Sequence, residues 1–335
     1  MKLIYATIKY DYNDKSRGLS YDSMYPGFLK IPNLDVLYFD CSDFNDPKIK
    51  EKNNKNLIEL IKKEEPDVLF HVAYTDQITP DTFKYIKNHT KTTTINWFCD
   101  DVWRFDAFTK EWCFYFDYSV TMGGDSVEKY HKIGYKNVII SQWAVDPELY
   151  PKLDLPYRYD VSFVGQPHGR RREIIKKLKR AGIKVACFGY GWKRNGFTDF
   201  WNRFFDQFPA MKFKLGKISN EDMIKAFNQS KINLNLSASS VPNAPDQFKG
   251  RNFEVPACGR FLLTGEVEHL EEYYSPGKEV VCYSDTDDMI DKIKYYLEHD
   301  KEREEIASAG YRRTIADHTY EKRFREMLGK VELKK

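Results

Sequence analysis

Short apolar runs alternate with amphipathic stretches from one end of the chain to the other. In the first half the runs Leu3–Ile8, Val36–Phe39, Val68–His71, Thr94–Phe98, Tyr118–Thr121 and Val138–Ile140 predict strands. Between them Asn56–Lys63, Pro80–Asn88 and Ser126–Ile133 predict helices. The second half repeats the scheme with Val161–Gly165, Val185–Gly189, Ile232–Leu236, Phe261–Thr264 and Val280–Tyr283, each followed by a helix-like segment. Such alternation implies β-α-β units and mainly parallel sheets. The stretch Trp143–Tyr159 is proline-studded, polar and aperiodic, and it predicts a linker. The expectation is two α/β domains, 1–150 and 151–335, each a Rossmann-like doubly wound parallel sheet. They would face a central cleft outside the carboxyl ends of both sheets. A final helix over 318–331 would pack back on the first domain. Residues 193–213 interrupt the alternation with a run of aromatics, either a small local core or an acceptor-facing flap.

Composition narrows the class. Of 335 residues, 41% are hydrophobic and 16% aromatic, enough for two packed cores and too much for general disorder. Fifty-three Lys and Arg against fifty Asp and Glu leave a formal charge of +3, too even to diagnose a nucleic-acid or membrane protein. The six cysteines are scattered, with no C-x-x-C and no histidine at ligand spacing, which argues against a zinc site or a disulfide framework. The start shows no signal peptide, and no uncharged apolar stretch has membrane length. A cytoplasmic protein is expected.

Candidate chemistry concentrates in the second half. In Asp246–Gly259 (DQFKGRNFEVPACG) Pro256 suits a first helical turn and Gly259 a C-cap, so a loop feeds a very short helix. Unpaired N–H groups at its start, flanked by Lys249 and Arg251, suit a diphosphate. Glu254 would repel phosphate, but its carboxylate can accept two hydrogen bonds from a cis-diol such as a ribose. The alternative is a cap with a surface ion pair. In Val161–Arg172 (VSFVGQPHGRRR) a strand ends at Gly165 and a glycine-flanked turn leads into a helix. Gln166, His168 and Arg170 would be its side-chain donors. That helix carries the apolar stripe Ile174, Ile175 and Leu178, leaving Lys176, Lys177, Lys179 and Arg180 as a solvated or nucleic-acid-binding face. Gly189-Tyr190-Gly191 departs from the dinucleotide fingerprint and suits a turn beside a nucleotide base. Asp285-Thr-Asp287 matches a metal-binding D-x-D but precedes a helix, where aspartates cap.

In the first half, Trp97, Asp100, Asp101 and Trp103 lie at or just past a strand, and His71 and Tyr74 end the preceding one. Carboxylates beside aromatic rings suit a sugar or planar acceptor, with Asp100, Asp101 or His71 available as a base. Arg17 follows the first strand and could reach the acceptor. No G-x-S-x-G, Walker lysine or H-E-x-x-H is present.

Lys231–Leu236 (KINLNL), Lys249–Gly259 (KGRNFEVPACG) and Leu262-Leu-Thr resemble the C-terminal domain of GT-B glycosyltransferases, in the family-4-like group that includes CgeB-type proteins. So do Pro276–Glu279, Tyr295–His299 and Asp317–Tyr320. The resemblance covers roughly 160–328. It implies metal-independent transfer, with retention, from a nucleotide-sugar, most simply a UDP-sugar, with no cofactor and no metal site. Glu254 resembles the second acid of the family's E-x7-E element and would hold the donor ribose. Asp246, eight positions earlier, stands where that element has Glu. Arg170, Lys249 and Arg251 would neutralise the diphosphate, and Asn252 and Phe253 would complete the donor contacts with Gly165, Gln166, His168, Gly189 and Tyr190. The acceptor is open: a glycan, a protein, a lipid-linked sugar or a modified nucleobase. The other readings are a non-catalytic nucleotide-sugar or nucleic-acid-binding module and a nucleotide-cofactor oxidoreductase.

Overall fold

The computed structural model describes residues 1–10, 18, 20–192, 218–237 and 247–334. They form two compact units, Met1–Asp146 with His318–Lys335, and Pro147–Asp317. The predicted insertion at 193–213 lies outside the described residues.

The first unit is built on six strands: β1 (Lys2–Thr7), β2 (Asp35–Asp40), β3 (Val68–Val72), β4 (Thr93–Phe98), β5 (Tyr118–Thr121) and β6 (Val138–Ile140). They lie in the order β2-β1-β3-β4-β5-β6, every neighbouring pair parallel. Parallel neighbours cannot be joined by a tight turn, so helices carry the chain back between strands. The crossover Pro47–Glu64 shows how the sequence sets its ends. Asp46 accepts from the amides of Lys48 and Ile49, Pro47 occupies the first position, and Glu65 closes it in the left-handed region at φ 45°. Strands β3 and β4 are buried on both faces. One face packs Ile4, Leu69, Phe83, Phe98 and Phe116; the other packs Leu3, Tyr5, Phe28, Phe70 and Trp97.

The second face is covered by the end of the chain. In the helix Tyr320–Leu328, Phe324 stacks flat on Phe28, with centroids 3.8 Å apart and planes 3° apart, and meets Trp97 edge-on. A side chain at Gly27 would put its Cβ 2.5 Å from Tyr320 Cβ, so the approach of the two segments requires glycine. Just before that helix, Val145 donates its amide to His318 O at 3.0 Å, and Tyr320 donates to Val145 O at 3.1 Å.

The second unit holds β7 (Tyr159–Val164), β8 (Val185–Phe188), β9 (Ser230–Asn235), β10 (Leu262–Gly265) and β11 (Val281–Tyr283), in the order β11-β10-β9-β7-β8 and all parallel. Each of the eleven apolar runs named from the sequence contains or overlaps one of these strands. In each sheet the first strand is flanked by the second and the third. The crossovers therefore leave in opposite directions from β1 and β3, and from β7 and β9. Those are the points where a parallel sheet opens a crevice beyond its carboxyl ends.

Phe324→Ala removes a fully buried ring from the first unit. It is expected to cost about 3–5 kcal/mol, read as a lower urea midpoint with an unchanged slope.

Candidate functional site

Two loops leave the second sheet where β7 and β9 part. After β7, the Gly165 amide donates back to Phe188 O at 2.9 Å, and Gly169 turns at φ 49° into the helix Arg171–Arg180. The loop after β8 lies against it. Gly189 has φ 128°, and a Cβ there would sit 2.7 Å from Gly165 O, so only glycine lets the two backbones meet. Trp192 Nε1 also donates to Gly165 O, at 2.6 Å, and Tyr190 stands 46% exposed at the tip. His168 is exposed in the first loop. Partial burial, then the charges of Arg171 and Lys249, holds its imidazole below the ordinary range, so it is neutral at pH 7.

The third piece follows β9. Lys249 and Gly250 lead into the helix Arg251–Ala257, which starts five residues before Pro256; the proline sits in its last turn rather than its first. The amides of Asn252, Phe253 and Glu254 already donate to Lys249 O and Gly250 O, so the expected cluster of unpaired N–H groups is largely used up inside the turn. Gly259, at φ 66°, terminates the helix as its sequence suggested. Asn252 is fully buried and holds the segment in place. Its Oδ1 accepts from Lys249 N at 3.0 Å and from Asn235 Nδ2 at 2.9 Å, while its Nδ2 donates to Thr264 Oγ1 at 3.2 Å. Asn252 is thus a scaffold residue. Phe253 is likewise buried, packed on Phe248 and Tyr274, and cannot touch a donor.

Glu254 is 4% exposed. Its Oε2 lies 3.5 Å from Arg251 Nη1, and among the described residues that oxygen has no hydrogen-bond partner. Gly250 makes room for the carboxylate, since a Cβ there would stand 2.6 Å from Glu254 Oε1. Arg251 faces Glu254 and, through Nη2, Met223 Sδ at 3.7 Å, so its charge is directed at the carboxylate rather than outward. Lys249 Nζ donates to Gln247 Oε1 at 2.9 Å. Arg170 is exposed at the start of its helix. Asp285 caps the helix Thr286–Glu298, accepting from the amides of Asp287 and Asp288 at 2.7 and 3.0 Å, so the D-x-D is a helix start. Asp246 and Arg17 lie outside the described residues.

Several first-unit candidates are core residues. His71 is 0% exposed between Phe83 and Phe116, its Nδ1 against Ala6 O at 2.8 Å; burial holds it down to about pH 4, and it cannot serve as an accessible base. Trp97 is fully buried against Phe70, Trp143 and Phe324, not placed for an acceptor. Asp101 is 1% exposed and accepts from Tyr130 OH at 2.9 Å. Tyr74 donates to Ser20 Oγ at 2.9 Å. Asp100 and Trp103 do come together at the surface, Trp103 Nε1 donating to Asp100 Oδ1 at 3.3 Å with the ring 43% exposed.

The sequence reading missed Arg171, chosen over by its neighbour Arg170. The phase of the helix marked it: it lies three, four and seven positions before Ile174, Ile175 and Leu178, on the inward stripe. Asn235 and Thr264 were missed because an isolated polar residue ending an apolar strand carries no spacing pattern.

Residues 170–329 match the family described as glycosyl transferase-like. The spore protein CgeB of Bacillus subtilis (strain 168) is 22% identical over 216 residues, 61% of this chain and 65% of CgeB, just under two thirds of that protein's length. Three solved structures share the fold. Sucrose-phosphate synthase from Thermosynechococcus elongatus has a TM-score of 0.63 at 11% identity, covering 98% of this chain and 97% of that one. Anabaena HepE in complex with UDP and glucose has 0.62 at 12%, covering 99% and 100%. A glycosyltransferase from Rickettsia africae ESF-5 has 0.61 at 14%, covering 98% and 97%. Two parallel α/β sheets, the matched domain and these likenesses define the GT-B class. The chain has the GT-B fold, and its residues 170–329 carry a glycosyl transferase-like domain similar to that of CgeB. Among the described residues no helix is long and apolar enough to cross a membrane.

Burial pushes the Asp101 carboxyl up to about 7. An unfolded aspartate loses its proton near 3.9, about three units lower, so the native state binds more protons between those values. Stability therefore falls as pH rises from about 4 to about 7. Asp101→Asn keeps an acceptor for Tyr130 and is expected to flatten that fall, measured as urea midpoints from pH 4 to 8. An unchanged slope would mean the carboxyl ionises normally.

Proposed function

We propose that the protein transfers a sugar from a UDP-sugar to an acceptor hydroxyl, without a metal ion and with retention at the anomeric carbon. The observation that carries this is Glu254: a nearly buried carboxylate in the matched domain, one of whose oxygens has no hydrogen-bond donor among the described residues. Leaving a buried acceptor unpaired costs about 1–3 kcal/mol. A ribose cis-diol supplies the missing donors. HepE, which shares the fold, is described with UDP and glucose bound, which supports uridine as the base.

In the reaction the bond between the anomeric carbon and the β-phosphate oxygen breaks, and a bond from that carbon to the acceptor oxygen forms. The acceptor's proton passes to the departing phosphate oxygen, so front-side delivery needs no separate base. Negative charge grows on the diphosphate as it leaves. Lys249, together with the exposed Arg170 just before the Arg171–Arg180 helix, offsets it in the role that a metal ion fills elsewhere. Neutral His168 offers the diphosphate a donor without adding charge. On the first unit, the exposed Trp103 ring with Asp100 beside it suits an acceptor bearing hydroxyls, the ring covering its apolar face and the carboxylate accepting a hydrogen bond from a hydroxyl that does not react.

The test is nucleoside diphosphate release from UDP-, GDP- and TDP-sugars in the presence of EDTA. Release from a UDP-sugar that survives EDTA is expected. Release that EDTA abolishes and Mg²⁺ restores would refute metal independence. Tight nucleotide binding without turnover of any donor would make the protein a binding module. Glu254→Gln is expected to weaken donor binding or turnover at least about tenfold, roughly 1.5–3 kcal/mol for one charge-assisted bond, with little change in thermal stability. Full activity in that variant would remove Glu254 from the site.

A further inference from the structure

Arg171 is a cation in the proposed donor region, yet its bonds run to the protein itself. Nη1 donates to Gln166 O at 2.9 Å and Nη2 to Leu236 O at 3.0 Å. Gln166 belongs to the loop after β7, and Leu236 is the first residue past β9. One guanidinium thus spans the ends of β7 and β9, adjacent strands whose onward connections diverge. Its carbon lies 5.5 Å from the centre of the Phe163 ring, which fixes the plane of the fork from one side. Gly165 leaves room for that ring, since a Cβ there would sit 2.8 Å from Phe163 Cζ.

We propose that Arg171 is a positioning residue for nucleotide-sugar binding: it clips the β7 loop to the end of β9 and so presets the mouth of the donor pocket. The inference rests on the donor-site reading above and assigns Arg171 a role distinct from phosphate binding. Without the clip, the loop carrying Gln166 and His168 samples open conformations, and the donor binds only the fraction that is closed. A lysine has one nitrogen and cannot reach both carbonyls in the fixed geometry of the fork, so Arg171→Lys is not a conservative change.

The experiment compares UDP affinity by calorimetry, and donor KM and kcat, in the wild type, Arg171→Lys, Arg171→Ala and Arg180→Met, the last an exposed cation at the far end of the same helix. Expected results are an affinity loss of about tenfold in Arg171→Ala, a loss of about fivefold or more in Arg171→Lys, and none in Arg180→Met. The change should appear in KM with kcat largely kept. Millimolar methylguanidinium should restore UDP binding to Arg171→Ala, and methylammonium should not. Thermal unfolding separates this from a folding defect: if Arg171→Ala melts far below the wild type, the lysine variant and the guanidinium rescue decide. Unchanged UDP affinity in both variants, or equal rescue by methylammonium, would overturn the positioning role while leaving the donor site intact. If the wild type itself binds neither UDP nor a UDP-sugar, the donor-site reading fails instead.

Discussion

A parallel strand must be left at its carboxyl end and re-entered at its amino end, and the rest of the structure follows from that constraint. Every loop after β7, β8, β9 and β10 emerges on one edge of the second sheet, where chain segments far apart in sequence become neighbours. Because β7 sends its connection one way and β9 the other, the loops beginning at Gly165 and Leu236 diverge and leave a gap. Two segments with candidate chemistry approach there: Lys249, ahead of the short helix, is near enough to His168 of the β7 loop for its charge to act on the imidazole. Glycine supplies the clearances that side chains would fill, at Gly189 against Gly165 O and at Gly250 beside the Glu254 carboxylate.

Around that gap, polar groups are held rather than left loose. Asn252 is fastened by Asn235, Thr264 and the Lys249 amide, so the short helix bearing Glu254 has a set position relative to β9 and β10. Such a buried network rigidifies when every member is satisfied. Glu254, on the same short helix, stands outside that network: its Oε2 lies 3.5 Å from Arg251 Nη1 and has no hydrogen-bond partner among the described residues. A buried acceptor in that state is costly unless something else completes it, which is why the carboxylate weighs more than any exposed cation nearby. The same logic separates Arg171 from Arg170: one is spent on bracing backbone carbonyls, the other is solvated.

The first unit shows how a polar residue at a strand end can be core. His71 and Trp97 sit at or near the carboxyl ends of β3 and β4, where functional residues are expected, yet both point into packed aromatic faces. Asp101 is one residue beyond Asp100, and the start of a helix turns it inward to Tyr130 while Asp100 stays with Trp103 at the surface. A single step along the backbone there decides between a buried, hard-to-ionise acid and an exposed one.

The eleven strands of the described residues were legible because each is a short apolar run bounded by turn residues, a pattern local forces alone produce. The pairing of Glu254 with a cation one turn away, the Asp285 cap and the Gly259 terminus were legible for the same reason, being contacts within a few residues. Which side of a strand a residue faces was not, since β3 and β4 are buried on both faces and lose the alternation that would reveal it. Nor was the bracing by Arg171, whose two partners lie 5 and 65 positions away. Local periodicity determined the elements and the class they build. Only the tertiary structure decided which polar groups meet at the sheet edge and which vanish into a core, because that depends on how distant segments stack.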